Sequence, residues 1–169
     1  MKNNKTRLVT LTAMLAAFAC VATILIRIPT PTKGYVNLGD CIVNIAGWLL
    51  GPVYGAAAAG IGSAFADIFA GYAVYAPATF VIKGLMAAVS FGVFRVIGGK
   101  SNSVVGRAAG AVAAEAVMVA GYFIYESVLY KSVAMAALGI LPNCVQGIAS
   151  VVTSVIVYEA VIKRIPKYN

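Results

Sequence analysis

Five acidic residues occur in this sequence, Asp40, Asp67, Glu115, Glu126 and Glu159, and most of them sit inside or beside long apolar runs. Lys83 is the one lysine placed inside such a run, with Thr79 a helical turn before it. In hydrocarbon a charge costs at least about 2.5–3.5 kcal/mol, so an ionisable residue at membrane depth is a functional candidate by default. The bland alternative is snorkelling at an interface, or a buried pair that only ties helices together. Glu159, one turn before Lys163, and Arg95 read that way. Carboxylates, one ammonium and the amides of Asn143 and Gln146 can hydrogen-bond a small polar molecule on several edges. Tyr35, Tyr72, Tyr75, Tyr122 and Trp48 can supply aromatic faces for stacking, although an interfacial belt accounts better for Tyr72, Tyr75 and Tyr130. Such a set suits an amphiphilic heterocycle more than a bare ion.

Other chemistries are poorly served. The sequence has no histidine, which removes the commonest acid–base catalyst and the commonest transition-metal ligand. Cys20, Cys41 and Cys144 are odd in number and scattered, with no C-x-x-C spacing, so neither a disulfide framework nor a metal knuckle is expected. The carboxylates show no metal-site spacing, and no metal site is expected. Gly99-Lys100-Ser101 looks like the end of a P-loop, but the glycine required five positions before Gly99 is Phe94, and no strand precedes it. The chain is therefore not expected to hydrolyse ATP or to use a cofactor of its own.

The elements that must position these residues follow from composition. Of 169 residues, 62% are hydrophobic and 11% charged, with a mean hydropathy of +0.92. Soluble chains run to roughly 45–50% apolar and about 25% charged residues, and so few charges could not cover a globule of this size. The expectation is an all-α integral membrane protein, a compact bundle of six transmembrane helices forming a single domain over 1–169. The first apolar run is Leu8 to Ile26; it outlasts a signal peptide and reads as a retained helix. The others are Cys41–Leu50, Val53–Gly71, Ala78–Ile97, Val104–Tyr125 and Leu138–Ile162. The second and third join at Gly51-Pro52 with no charge between them, which predicts a tight helical hairpin. Pro29 to Asp40, with two prolines and two glycines, predicts a structured loop.

The net charge of +8 does not predict nucleic-acid binding, because the lysines and arginines lie mostly between apolar runs, where they read as topology signals. Six spans put nine of the 13 on one side: Lys2, Lys5, Arg7, Arg95, Lys100, Arg107, Lys163, Arg164 and Lys167. Arg27, Lys33 and Lys131 fall on the other. Both termini are then cytoplasmic and the long first loop faces outward. In that frame Asp40, Asp67, Thr79, Lys83, Tyr122, Glu126, Asn143 and Gln146 approach the outer half of the membrane, with Glu115 rising toward them from mid-span. Glu115, Tyr122 and Glu126, seven and four apart, form one helical stripe. Ala13-x-x-x-Ala17 and similar small-residue pairs suit close helix packing.

The segment Gly34-Tyr35-Val36-Asn37-Leu38-Gly39-Asp40, then Leu50-Gly51-Pro52 with Gly55, Ala66-Asp67, and Tyr75-Ala76-Pro77-Ala78-Thr79-Phe80-Val81-Ile82-Lys83-Gly84-Leu85-Met86-Ala87 resemble the substrate-binding S components of energy-coupling factor (ECF) vitamin transporters. Leu141-Pro142-Asn143 with Gln146 is similar as well. Within that family the sequence looks closest to the branch for pyridoxine or hydroxymethylpyrimidine. The resemblance implies a membrane-embedded binding subunit in a prokaryotic plasma membrane. It implies docking to a shared transmembrane partner and two cytoplasmic ATPases, which hydrolyse the ATP. It also implies substrate contacts from Tyr35, Asn37, Asp40, Thr79, Lys83, Glu115, Tyr122, Asn143 and Gln146, and partner docking through Ala13 and Ala17.

Alternatives are an S component for another heterocycle or for pantothenate, and more remotely a membrane enzyme or a structural membrane protein. An enzyme of lipid head groups would usually show clustered Asp or His for metal–phosphate chemistry. A self-sufficient transporter would usually show two repeats with broken helices. For Lys83 two readings stand: a donor to the ligand, or a structural pair with Asp67 or Glu126.

Overall fold

A computed structural model describes residues 2–29, 35–98, 103–161 and 164. Helix α1 (Lys2–Leu25) leads into β1 (Arg27–Pro29) and β2 (Tyr35–Asn37), followed by α2 (Gly39–Phe69), α3 (Ala76–Gly98), α4 (Val104–Leu129), the short α5 (Val133–Ala137) and α6 (Ile140–Ala160). Among the described residues five stretches are long and apolar enough to cross a membrane, the last of them running through α5 and α6. Lys33, Lys100, Lys163 and Lys167, used in the charge count, lie outside the described residues, as do the Gly99-Lys100-Ser101 turn and Ile162.

The expected second and third segments are the two arms of α2. The helix breaks at Gly51 (φ 77°, ψ −173°), a left-handed conformation that glycine adopts without steric cost. Pro52 follows, and its fixed φ and missing N–H suit the first turn of a new helix. The arms fold back on each other. A Cβ placed on Gly55 would lie 2.7 Å from the carbonyl oxygen of Ala46, whereas a straight helix would hold those residues about 13 Å apart. The hairpin expected at Gly51-Pro52 is therefore present.

The all-helical expectation needs one correction. Arg27 pairs with Asn37, Ile28 with Val36 and Pro29 with Tyr35 in a two-stranded antiparallel ribbon. Strand-favouring residues such as Ile28, Tyr35 and Val36 give the linker between α1 and α2 an extended backbone, and this ribbon carries Tyr35 and Asn37 over the helix ends.

Small residues bring the helices together. Val43, Ala59, Ile82, Met86, Ala87, Ala114 and Met118 form one buried cluster between α2, α3 and α4. At Gly47 an added Cβ would run into the backbone carbonyl of Ala87 on α3, while at Gly92 nothing lies within 4 Å. Gly47→Leu is therefore expected to lower stability by about 1–3 kcal/mol through overpacking, and Gly92→Leu to leave it nearly unchanged. Thermal unfolding in detergent compares the two, and equal midpoints would refute the close approach.

At the end of the bundle away from the ribbon, Arg107 is fully buried. It is ion-paired with Glu159 and lies 4.3 Å from the Tyr158 ring centroid and 5.6 Å from that of Phe94. Arg107 is thus a buried clamp between α3, α4 and α6, which its reading as a loop charge did not anticipate. Glu159 serves that clamp. Trp48, expected as a ligand-stacking face, packs edge-on against Tyr158 at 5.6 Å, remote from the ribbon.

Candidate functional site

Beneath the ribbon the helices enclose a polar cavity. Its wall is built from Tyr35 and Asn37 of β2, Ser63 and Asp67 of the second arm of α2, and Thr79 and Lys83 of α3. Tyr122 and Glu126 of α4, Asn143 and Gln146 of α6, and Thr23, Tyr72 and Tyr75 complete it. Helical spacing accounts for most of these pairs. Ser63 and Asp67, Thr79 and Lys83, and Tyr122 and Glu126 are each four apart, so each pair presents one face.

The floor is a chain of charge-assisted hydrogen bonds. Lys83 Nζ donates to Asp40 Oδ1 at 2.5 Å, and Gln146 Nε2 donates to Asp40 Oδ2 at 2.5 Å. Gln146 Oε1 in turn accepts the backbone N–H of Asn37 at 2.7 Å, and the Asn37 side chain accepts Gly39 N–H at 2.8 Å. Asp40, in the first turn of α2, is favoured there by the helix dipole. It is fully buried, and Lys83 is 2% exposed. One carboxylate therefore ties α2, α3 and α6 together and anchors the ribbon through Gln146. A second polar layer lies deeper: Asn44 Nδ2 donates to Glu115 Oε1 at 3.2 Å, and Ser90 Oγ to Asn44 Oδ1 at 2.8 Å.

The upper wall is aromatic and closed by its own bonds. Tyr35 Oη donates to Asp67 Oδ1 at 2.5 Å and its ring lies 4.8 Å from that of Tyr72. Burial, followed by the neighbouring Asp67 carboxylate, pushes the Tyr35 hydroxyl well above the usual phenol range, so it acts as a neutral donor. Thr79 and Tyr122 hydroxyls pair at 3.0 Å, and Lys83 lies 5.3 Å from the Tyr122 ring centroid. Tyr75 donates to Glu126 at 3.2 Å and pairs with Tyr130 at 2.7 Å; burial and those partners also raise its hydroxyl. The walls leave about 30 Å³ of free space.

A larger groove of about 630 Å³ opens between α4 and α6, but it is lined almost wholly by apolar side chains such as Val112, Val119, Phe123, Ile148 and Val152. It offers few partners for a ligand's heteroatoms, so the polar cavity is the better candidate.

Seven of the nine substrate-contact residues expected from sequence line the cavity: Tyr35, Asn37, Thr79, Lys83, Tyr122, Asn143 and Gln146. Asp40 lies behind the wall, and Glu115 faces the α4–α6 groove instead. The partner of Lys83 is Asp40, not Asp67 or Glu126. Tyr72 and Tyr75, assigned to an interfacial belt, are cavity walls. Sequence reasoning missed Thr23 and Ser63 in the wall, and Asn44 and Ser90 beneath it. Ser63 could have been found from its spacing to Asp67. Ala13 and Ala17 are both exposed on α1, while Ala16 of the same helix meets Gly62.

Residues 3–163 match the family described as the S component of an ECF-type riboflavin transporter. The chain is 41% identical over 112 residues to an uncharacterized protein in the gap 3′ region of Pyrococcus woesei, covering 65% of this chain and 72% of that one. Its fold is similar to a solved structure titled as the S component of a bacterial ECF transporter. That similarity has a TM-score of 0.68 at 18% identity, over 94% of this chain and 97% of the other. The matched family is one of transporter components and not of enzymes. The chain belongs to the ECF-type riboflavin transporter S component family.

Proposed function

We propose that this chain captures a small heterocyclic vitamin or vitamin precursor, of the pyridoxine or hydroxymethylpyrimidine kind, and presents it to an ECF transmembrane subunit with two cytoplasmic ATPases. The observation that carries the reading is the buried network Asn37–Gln146–Asp40–Lys83, which builds a rigid polar floor under an aromatic wall. A single-ring ligand is favoured by the resemblance of the Gly34–Asp40 and Tyr75–Ala87 segments to the pyridoxine or hydroxymethylpyrimidine branch. Riboflavin is the second reading, favoured by the family's description.

In this reading Tyr35, Asn37, Thr79, Lys83, Tyr122, Asn143 and Gln146 meet the ligand, and Asp40 and Glu115 act from behind. With the arms of α2 counted separately the chain makes six passes. Both ends then lie on the cytoplasmic side of a prokaryotic plasma membrane, a reading supported by the bias of Lys and Arg, which still stands at eight to three with the buried Arg107 set aside. The whole chain works as one domain and needs no cofactor, since ATP is hydrolysed by the partners.

The purified protein alone is expected to bind its vitamin tightly and to sustain no ATP-dependent uptake. Native mass spectrometry of gently purified material, followed by titration calorimetry with pyridoxine, hydroxymethylpyrimidine and riboflavin, identifies the ligand. Continuous uptake by this chain alone in ATP-supplied liposomes would refute the division of labour.

A further inference from the structure

We infer that Ser63 is a ligand-contacting residue, its hydroxyl donating a hydrogen bond to a lone-pair acceptor of the bound heterocycle: a ring nitrogen, or a carbonyl or hydroxyl oxygen. The inference rests on the cavity being the ligand site and adds a contact from the second arm of α2. Ser63 lines the cavity and is 2% exposed. Its Oγ is buried and makes no hydrogen bond among the described residues. Neighbouring hydroxyls of the same wall are engaged: Tyr35 with Asp67, Thr79 with Tyr122, and Tyr75 with Glu126 and Tyr130.

A helical serine or threonine has an easy way out of that state, because its hydroxyl can turn back to a carbonyl three or four residues earlier. This chain uses it repeatedly: Thr12 donates to Leu8, Ser127 to Phe123, Thr153 to Ala149 and Ser154 to Val151. Ser63 does not. Close packing sets the face that it presents. A Cβ added at Gly60 would lie 2.7 Å from the Phe80 carbonyl oxygen of α3, and one at Gly62 would run into the Ala16 carbonyl of α1. The arm is thus seated between two helices, with Ser63 held at the cavity wall. A buried donor left unmatched is unfavourable, and an acceptor entering the cavity satisfies it. Ser150 of α6 is also buried without a partner among the described residues, but it is not one of the residues lining the cavity. It is therefore the matched control.

The test is calorimetry on the purified full-length protein with pyridoxine, hydroxymethylpyrimidine and riboflavin, for wild type, Ser63→Ala and Ser150→Ala. Thermal unfolding of each protein without ligand accompanies it. For whichever compound binds wild type, Ser63→Ala is expected to weaken binding about tenfold, the consequence of leaving the ligand's acceptor without its donor. Alanine is a better helix former than serine, and the substitution removes a buried group that had no partner. Unliganded Ser63→Ala should therefore unfold at the wild-type temperature or above it. Ser150→Ala should keep its affinity within about twofold of wild type. A Ser63→Ala protein that binds within about twofold of wild type overturns the proposal, and a water that stays with Ser63 would give that result. A loss of binding accompanied by a midpoint several degrees lower also overturns it, since the hydroxyl would then be structural. So does an equal loss of affinity in Ser150→Ala. These three results leave the vitamin reading standing. No binding by wild type across the panel overturns that reading instead, and the role of Ser63 falls with it.

Discussion

Lys83→Met is expected to destabilise the protein by about 3–5 kcal/mol, the usual consequence of removing one partner of a buried ion pair. The Asp40 carboxylate is fully buried and Lys83 is 2% exposed, so deleting the ammonium leaves an uncompensated charge inside the bundle. Gln146 alone would remain on Asp40, and through Gln146 the defect reaches the backbone of Asn37 in the ribbon. Asp40→Asn should be destabilising for the converse reason, stranding the ammonium. The double variant Asp40→Asn/Lys83→Met removes both charges and should recover most of the loss, so the two effects are strongly non-additive. Thermal unfolding of all four proteins in detergent measures this coupling. A folded Lys83→Met with wild-type stability and weakened binding would identify Lys83 as a ligand donor that does not depend on Asp40 for its place.

The second large effect concerns α1. Ala13 and Ala17 are exposed, along with Val9, Met14, Phe18 and Val21, while Leu15 and Ala19 are buried and Ala16 meets Gly62. The helix thus packs inward through one stripe and presents small residues on another, where a second helix could approach closely. Ala13→Trp and Ala17→Trp add bulk on the exposed side of α1. Both are expected to leave ligand affinity and stability near wild type and to abolish uptake in cells that supply the ECF module. Loss of binding and folding together in Ala13→Trp would show that the strip is internal.

Much of this protein was legible in the residues themselves. A mean hydropathy of +0.92 and apolar runs of span length leave no alternative to a membrane bundle. Gly51-Pro52 announced the break in α2 because a left-handed glycine and a helix-starting proline are local requirements, set by the residues at the break. Four-residue spacing likewise put Thr79 with Lys83 and Tyr122 near Glu126, since periodicity fixes which side chains share a face and at what height.

What periodicity cannot give is the rotation of one helix against another. Asp40 and Lys83 are 43 positions apart. Asp67, Glu126 and Asp40 all stood at a plausible height for that ammonium, and only the packing of the two α2 arms on α3 decided among them. The same rotation turned Glu115 toward Asn44 and the α4–α6 groove rather than into the cavity. It also set Trp48 against Tyr158 and buried Arg107 in the far clamp. Tyr72 and Tyr75 could pass for belt residues because a tyrosine at a helix end satisfies the interface in any orientation. They became cavity walls because the ribbon, whose cross-strand pairing is a non-local contact, brought Tyr35 down to meet Asp67 and Tyr72.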